Sequence, residues 1–182
     1  GPSPIRSAIL NDEKTTGVSI IKVDKEMDHG PIVAQKRIVI EEWPHLAELE
    51  EILKTEGGRL LAQVLTQWIS GGIEAHAQNH DVATFSEKIE KEDGLLDLAG
   101  DPYKNLLKIR AYEGWPGTYS YFERPSTRRG QGIKKIRVGI LDAHIESGSL
   151  VIDKVKPEGR KEMAYEEFLR SGVHPVLLST KL

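Results

Sequence analysis

The feature that most constrains this fold is a run from Leu46 to Ile69 in which apolar residues recur at spacings of three, four or seven residues. This spacing places them on one face of an α-helix, which must be buried against another element. Gly57 and Gly58 should weaken the helix, and Gly71 with Gly72 should end it. The apolar residues are Leu46, Leu49, Leu53, Leu60, Val64 and Trp68.

Two short segments before this helix have the composition of β-strands. Residues 17–23 are mostly apolar and β-branched, and residues 31–40 are similar but mixed. The connector between them, DKEMDHG, brings acidic residues and His29 into a loop that Gly30 closes. Polar side chains can converge in such a loop, so it is a candidate site.

The chain changes character after residue 73. We expect a linker over 74–92, which separates an α/β part over 1–73 from a β-rich part over 93–182. The second part should contain a helix over 102–111, three strands and a short helix over 164–170. Strands of this length between Gly and Pro turns predict a small barrel. The predicted strands are residues 118–122, 134–141 and 149–155.

Charge is distributed unevenly along the chain. Residues 1–103 hold 10 basic and 19 acidic side chains, whereas residues 104–137 hold 9 basic and 2 acidic ones. Tyr119, Tyr121 and Phe122 lie among these cations, and cations beside aromatic rings are typical of surfaces that bind nucleic acid. The alternative is a solvated charged face with Phe122 in the core.

Other features exclude several classes of site. The chain has no cysteine, so disulfides and thiolate chemistry are absent. His76 and His80 are four residues apart but lie in the predicted linker, and we expect no metal site. The sequence contains no long apolar span and no signal pattern, which favours a cytoplasmic location.

Four segments, in this order, resemble the methionyl-tRNA formyltransferase family. They are GPSPIRSAILNDEKTTGVSIIKVDKEMDHGPI, ATFSEKIEKEDGLLDL, IRAYEGWPGTYSYF and VKPEGRKEMAYEEFLRSG. The resemblance covers nearly the whole chain. It implies the C-terminal part of a Rossmann-like formyltransferase domain, followed by an OB-like barrel that binds tRNA. The formyl donor would be 10-formyltetrahydrofolate, and the acceptor would be the amino group of the methionyl initiator tRNA.

The resemblance also implies site residues. The family's catalytic Asp corresponds to Asp28, which would orient an imidazole while polar donors stabilise the oxyanion. Alternatively, Asp28 only ties the turn together through its own backbone. The expected folate-binding residues are Asp24, Lys25, Glu26, Met27 and Gly30. The expected tRNA-binding residues are Lys104, Lys108, Arg110, Arg128, Arg129, Lys134, Lys135, Arg137, Lys156, Arg160 and Lys161.

The sequence departs from the family pattern in three places. The family's catalytic Asn and His would lie upstream of Gly1, so we expect the chain as written to be incomplete for catalysis. We expect it to be able to self-associate through an exposed strand, whereas the complete protein would be a monomer. His29 stands where the family commonly has Thr. Leu98 stands where the family usually has Trp. We expect His29 to be solvated or at the folate edge rather than to replace the missing imidazole.

Two other functions remain open. A formyltransferase that acts on a sugar-nucleotide amine would use the same donor without tRNA. A non-catalytic RNA-binding fragment would bind tRNA in a salt-dependent way without turnover.

Overall fold

The computed structural model describes residues 2–125 and 133–176. The chain divides into two compact units, Gly1–Glu87 and Lys88–Leu182. The boundary falls inside the segment predicted as a linker. Helices pack on a sheet in both units, which gives the α/β class that the sequence predicts.

Unit 1 is a β-hairpin covered by one long helix, against which a short helix also packs. Its elements are α1 (Pro4–Leu10), β1 (Thr15–Ile21), β2 (Ile32–Val39) and α2 (Leu46–Ile69). The two strands are antiparallel, with Thr15 opposite Val39, and α2 packs on both of them. The buried apolar side chains are Ile9, Trp43, Leu46, Leu49 and Leu53.

Helix α2 has the bounds that the apolar spacing predicts, and Gly57 with Gly58 does not interrupt it. Gly57 faces β1: an ideal Cβ there would lie 3.7 Å from Val18 Cγ1. The helix is therefore continuous because packing against the hairpin outweighs the low helix propensity of two glycines. Helix α1 was not predicted. Its seven residues are too few to show an apolar period, although Pro4 occupies a favoured first position.

Over the residues that the structure describes, unit 2 is an antiparallel sheet with two α-helices. Helix α3 (Pro102–Ala111) has the predicted bounds, and α4 (Tyr165–Leu169) lies within the predicted segment. The sheet order is β6-β5-β4-β3-β7. Phe122, Val138, Ile140, Val155 and Phe168 are buried at its centre, and Leu98 packs against this core. The strands are β3 (Thr118–Pro125), β4 (Ile133–Glu146), β5 (Ser149–Pro157), β6 (Met163–Ala164) and β7 (His174–Pro175).

The sheet of unit 2 is open over the residues described. Its outermost strands, β6 and β7, have two residues each, and no pairing joins them within these ranges. Strand β4 is longer than predicted. It continues to a tight hairpin at Ser147 and Gly148, which have φ of 50° and 79°. Two consecutive positive φ values are the geometry that joins twisted strands in two residues.

Candidate functional site

The β1–β2 connection is held closed by backbone contacts. The Lys22 amide donates to the Pro31 carbonyl over 2.9 Å. An ideal Cβ at Gly30 would lie 1.7 Å from the Lys22 carbonyl oxygen, so only glycine fits where the two ends of the connection approach each other. The acidic residues between these points are thereby confined to a short loop.

Inside this loop a carboxylate and an imidazole form a pair. Asp24 Oδ2 lies 2.7 Å from His29 Nδ1, and Asp24 Oδ1 accepts from the Glu26 amide over 2.9 Å. The hydrogen bond to Asp24 raises the pKa of His29, and the bond to His29 lowers the pKa of Asp24. An ionised carboxylate only accepts, so this pairing places the imidazole proton on Nδ1 and leaves Nε2 outside the pair.

Asp28 has an unusual backbone and an exposed side chain. Its φ is 57°, in the left-handed region that Asp tolerates better than most residues. Within the described part of the chain, its carboxylate makes no hydrogen bond or ion pair. Asp28 and His29 are adjacent yet do not pair, and the carboxylate that orients an imidazole inside this loop is Asp24.

The loop is also contacted by a segment about fifty residues later in the chain. His76 exchanges two backbone hydrogen bonds of 2.8 Å with Ile32, and the Gln78 Nε2 amide donates to the carbonyls of Asp28 and Gly30 over 2.8 and 2.7 Å. The His80 ring stacks on the His29 ring at 3.9 Å, with 4° between the planes. Sequence reasoning assigned this segment to the linker and missed Gln78, because no local pattern indicates a long-range contact.

The residues predicted to line a folate pocket are all on this loop. Lys25 and Glu26 are exposed, and the Glu26 amide is already bound to Asp24. Met27 is 85% exposed, which leaves its apolar side chain available to a flat ring system. Gly30 is buried where it approaches the Lys22 carbonyl.

A second cluster lies on the sheet of unit 2, opposite the core. Along β3 the side chains alternate, with Phe122 and Ser120 buried while Tyr119 and Tyr121 face outward. The Arg137 guanidinium carbon lies 3.8 Å from the centre of the Tyr119 ring. We call the cluster of Tyr119, Tyr121, Lys135 and Arg137 the β3–β4 ladder.

Contacts within the ladder alternate rings and charges. The Lys135 ammonium lies 4.2 Å from the Tyr121 centroid, and the two tyrosine rings meet edge to face at 5.8 Å. Neither cation has an ion pair within the described ranges, in contrast to Lys54 and Arg59 of unit 1, which pair with Glu51 and Glu56. The ladder therefore presents free charge beside aromatic surface.

Two cavities adjoin the ladder. One, of about 340 Å³, is lined by Arg124, Lys134 and Lys135, and the other, of about 270 Å³, is lined by Tyr119, Arg137 and Lys156. Arg160, with Pro157 and Glu158, lines both cavities. The β5–β6 turn therefore adds the Arg160 cation and the Glu158 carboxylate to the same region of unit 2.

The remaining predicted tRNA contacts differ in their surroundings. The Lys108 ammonium donates to the backbone carbonyls of Asp93 and Leu95, and the Arg110 side chain, 17% exposed, lies 3.6 Å from Asp142. Both side chains thus brace unit 2 internally. Lys104 and Lys161 are exposed. Arg128 and Arg129 lie outside the described residues.

The described ranges contain neither a metal site nor a membrane-spanning helix. No group of three or more His, Asp or Glu side chains there is arranged to hold a metal ion. None of the helices there combines the length and the apolar character that crossing a bilayer requires.

Comparison with known proteins identifies relatives for both units. Residues 1–65 match the family model described as formyl transferase. A methionyl-tRNA formyltransferase from Chloroflexus aurantiacus is 32% identical over 194 aligned positions, which cover 96% of this chain and 60% of that protein. The chain thus spans about 60% of the length of this curated relative.

Two solved structures have a similar fold. A methionyl-tRNA formyltransferase from Clostridium thermocellum matches 85% of this chain and 61% of its own, with a TM-score of 0.58 and 18% identity. HypX from Aquifex aeolicus, in complex with tetrahydrofolic acid, matches 93% of this chain and 32% of its own, with a TM-score of 0.62 and 16% identity.

Proposed function

By sequence the chain belongs to the methionyl-tRNA formyltransferase family, and from this premise we propose that it acts in transfer of a formyl group from 10-formyltetrahydrofolate to the amino group of methionyl-tRNA. The match covers 96% of the chain and therefore extends through both units. Because this acceptor serves the initiation of translation, we also propose a cytoplasmic location.

The reaction sets chemical requirements that the β1–β2 loop can meet in part. The amine attacks the formyl carbon, a tetrahedral oxyanion forms, and a proton leaves the attacking nitrogen as the C–N bond to the folate breaks. We propose that Asp28 orients an imidazole that takes this proton, as the resemblance to the family implies. Its exposed carboxylate, without a partner in the described part of the chain, is available for this role.

We propose that the folate lies against the same loop. Met27 and Val23 are 85% and 92% exposed, so an apolar surface flanks the acidic residues. A pterin ring that covers these side chains would remove apolar area from water. The backbone of residues 24–27 would supply polar contacts, except for the Glu26 amide, which Asp24 already binds.

The single observation that carries the RNA part of the proposal is the β3–β4 ladder. Alternating rings and free cations can stack on bases and neutralise phosphates at the same time. Lys134, Lys156 and Arg160 line the adjoining cavities and extend this charge. We propose that unit 2 corresponds to the OB-like barrel of the family, with the ladder as its RNA-binding face.

The proposal is tested by expressing the full open reading frame that encodes this chain and measuring formyl transfer to methionyl-tRNA by the purified protein. We expect Asp28→Asn to lower kcat by at least about a hundredfold, because the amide keeps the left-handed backbone acceptable but carries no charge. Glu41→Gln removes another exposed carboxylate of unit 1 and should leave the rate unchanged.

Three outcomes would contradict the proposal. They are no transfer by the wild type, equal rates for Asp28→Asn and wild type, and transfer to a sugar-nucleotide amine in preference to methionyl-tRNA. The last outcome would establish the sugar-directed alternative.

A further inference from the structure

We propose that Gln78 is a positioning residue that holds Asp28 in its left-handed conformation. This inference rests on the proposed function, because it concerns the placement of the catalytic carboxylate. It assigns a role to the segment His76–His80, which the sequence alone marks only as polar and short of apolar residues.

The first step of the argument is that the Asp28 backbone needs an external restraint. A φ of 57° is sparsely populated by residues other than glycine, and it costs about 1 kcal/mol or more where nothing holds it. The side chain of Asp28 provides no such restraint, since it makes no hydrogen bond within the described ranges. A free loop would therefore visit conformations that aim the carboxylate elsewhere.

The second step is that Gln78 supplies that restraint at two points. Its Nε2 amide has two hydrogens, and the two acceptors, the carbonyls of Asp28 and Gly30, lie at 2.8 and 2.7 Å. These carbonyls flank His29, so the amide spans the turn in which Asp28 adopts its positive φ. Gly30 is itself fixed, because its Cα is packed against the Lys22 carbonyl. Gln78 thus ties the Asp28 carbonyl to Gly30, whose position is fixed.

The third step is that residues on both sides of Gln78 are held in place by other contacts. Two residues earlier, His76 exchanges two 2.8 Å backbone hydrogen bonds with Ile32, the first residue of β2. Two residues later, the His80 ring stacks on His29 at 3.9 Å. These contacts hold one short segment against the loop and the start of β2. Among the contacts described here, only that of Gln78 reaches the Asp28 carbonyl.

The test combines a structural and a kinetic measurement on the protein encoded by the full open reading frame. Gln78→Met keeps the length of the side chain and removes both donors. We expect faster amide hydrogen exchange across residues 24–30 and a kcat lowered by roughly ten- to a hundredfold, the size expected for a misplaced catalytic group. KM for methionyl-tRNA should change by less than about twofold, because the RNA contacts are on unit 2.

A second variant separates positioning from a general structural defect. Gln78→Glu is ionised at neutral pH and repels the two carbonyls, but its protonated form donates one hydrogen bond. The ratio of its kcat to the wild-type kcat should therefore rise as the pH falls from about 7 to 5. Gln63→Met, which changes an exposed glutamine on α2, is the control and should match the wild type in both measurements.

The outcomes distinguish this inference from the proposed function. Wild-type transfer together with unchanged exchange and kcat in Gln78→Met overturns the inference alone. Faster exchange with an unchanged kcat also overturns it, because the loop would then move without consequence for Asp28. Absence of transfer by the wild type overturns both proposals.

Discussion

At the scale of single residues, Asp24 and His29 make the stability of the loop dependent on pH. The pKa of His29 is raised above 6.5, so its contribution is complete below 6.5 and is lost as the pH rises through the folded value. The pKa of Asp24 is lowered below 3.8, so its contribution is present above 3.8 and is lost as the pH falls through the folded value. The pair therefore stabilises the loop most between these limits.

We predict that His29 titrates above 6.5 in the folded protein and that Asp24→Asn moves its pKa back toward that value. The physical reason is the loss of the 2.7 Å hydrogen bond and of the negative charge. The measurement is an NMR titration of the imidazole resonances. His144, whose pKa is raised by Asp153 in unit 2, should titrate identically in the wild type and in Asp24→Asn. A His29 titration indifferent to Asp24→Asn would contradict the assigned pairing.

At this scale the sequence predicts the loop that we propose as the site, but it does not predict how the residues of the loop are held. The acidic connector and its closing Gly30 indicate the loop directly. No motif indicates that Asp24 is the partner of His29, because the two side chains meet only when the loop closes at Gly30. Gln78 is invisible to local reasoning, because it is separated from Asp28 by 50 residues.

At the scale of elements, helices with a clear apolar period were predicted to the residue, while short or strongly turned elements were not. Helices α2 and α3 have the predicted bounds because their buried faces repeat over several turns. Strand β4 was predicted to end near Leu141 but continues to Glu146. The reason is a register shift near Asp142, which changes which side chains face the core and so breaks the alternation on which the prediction depends.

Glycines in different elements should respond in opposite ways to the same substitution. Gly58→Ala should raise the free energy of unfolding by about 0.5–1 kcal/mol, because nothing lies within 4 Å of the added Cβ and alanine favours the helix. Gly30→Ala should lower it by about 2–4 kcal/mol, because the Cβ would overlap the Lys22 carbonyl. Urea denaturation followed by circular dichroism measures both free energies of unfolding. Equal changes in the two variants would contradict the close approach of Gly30 to the Lys22 carbonyl.

At the scale of the whole molecule, the two units carry opposite net charge. Residues 1–87 hold 8 basic and 14 acidic side chains, and residues 88–182 hold 17 basic and 14 acidic ones. A polyanion would therefore be attracted to unit 2 in preference to unit 1. The charge division is readable from the sequence, but the stacking of Lys135 and Arg137 on tyrosines is not, because it depends on the register of β3 with β4.

We predict that Lys135→Gln combined with Arg137→Gln weakens tRNA binding and lessens its dependence on salt. Each lost phosphate contact should reduce the slope of log affinity against log salt by about 1. Binding titrations at several salt concentrations measure this slope. Lys36→Gln combined with Arg37→Gln, on exposed positions of β2, makes the same change of charge in unit 1 and should have little effect. Equal slopes for the two double variants would exclude the ladder from phosphate contact.

The alternation of rings and charges in the ladder has a consequence for selectivity. Every nucleobase offers a flat face to a tyrosine, and every nucleotide carries the same phosphate, so such a surface grips any unpaired strand with similar strength. A polynucleotide that stacks on Tyr119 and Tyr121 would be bound without recognition of its base sequence. Choice between one acceptor and another must then come from contacts that sense base edges or the shape of a particular stem, and exchanging the ladder residues should alter tightness while leaving that choice intact.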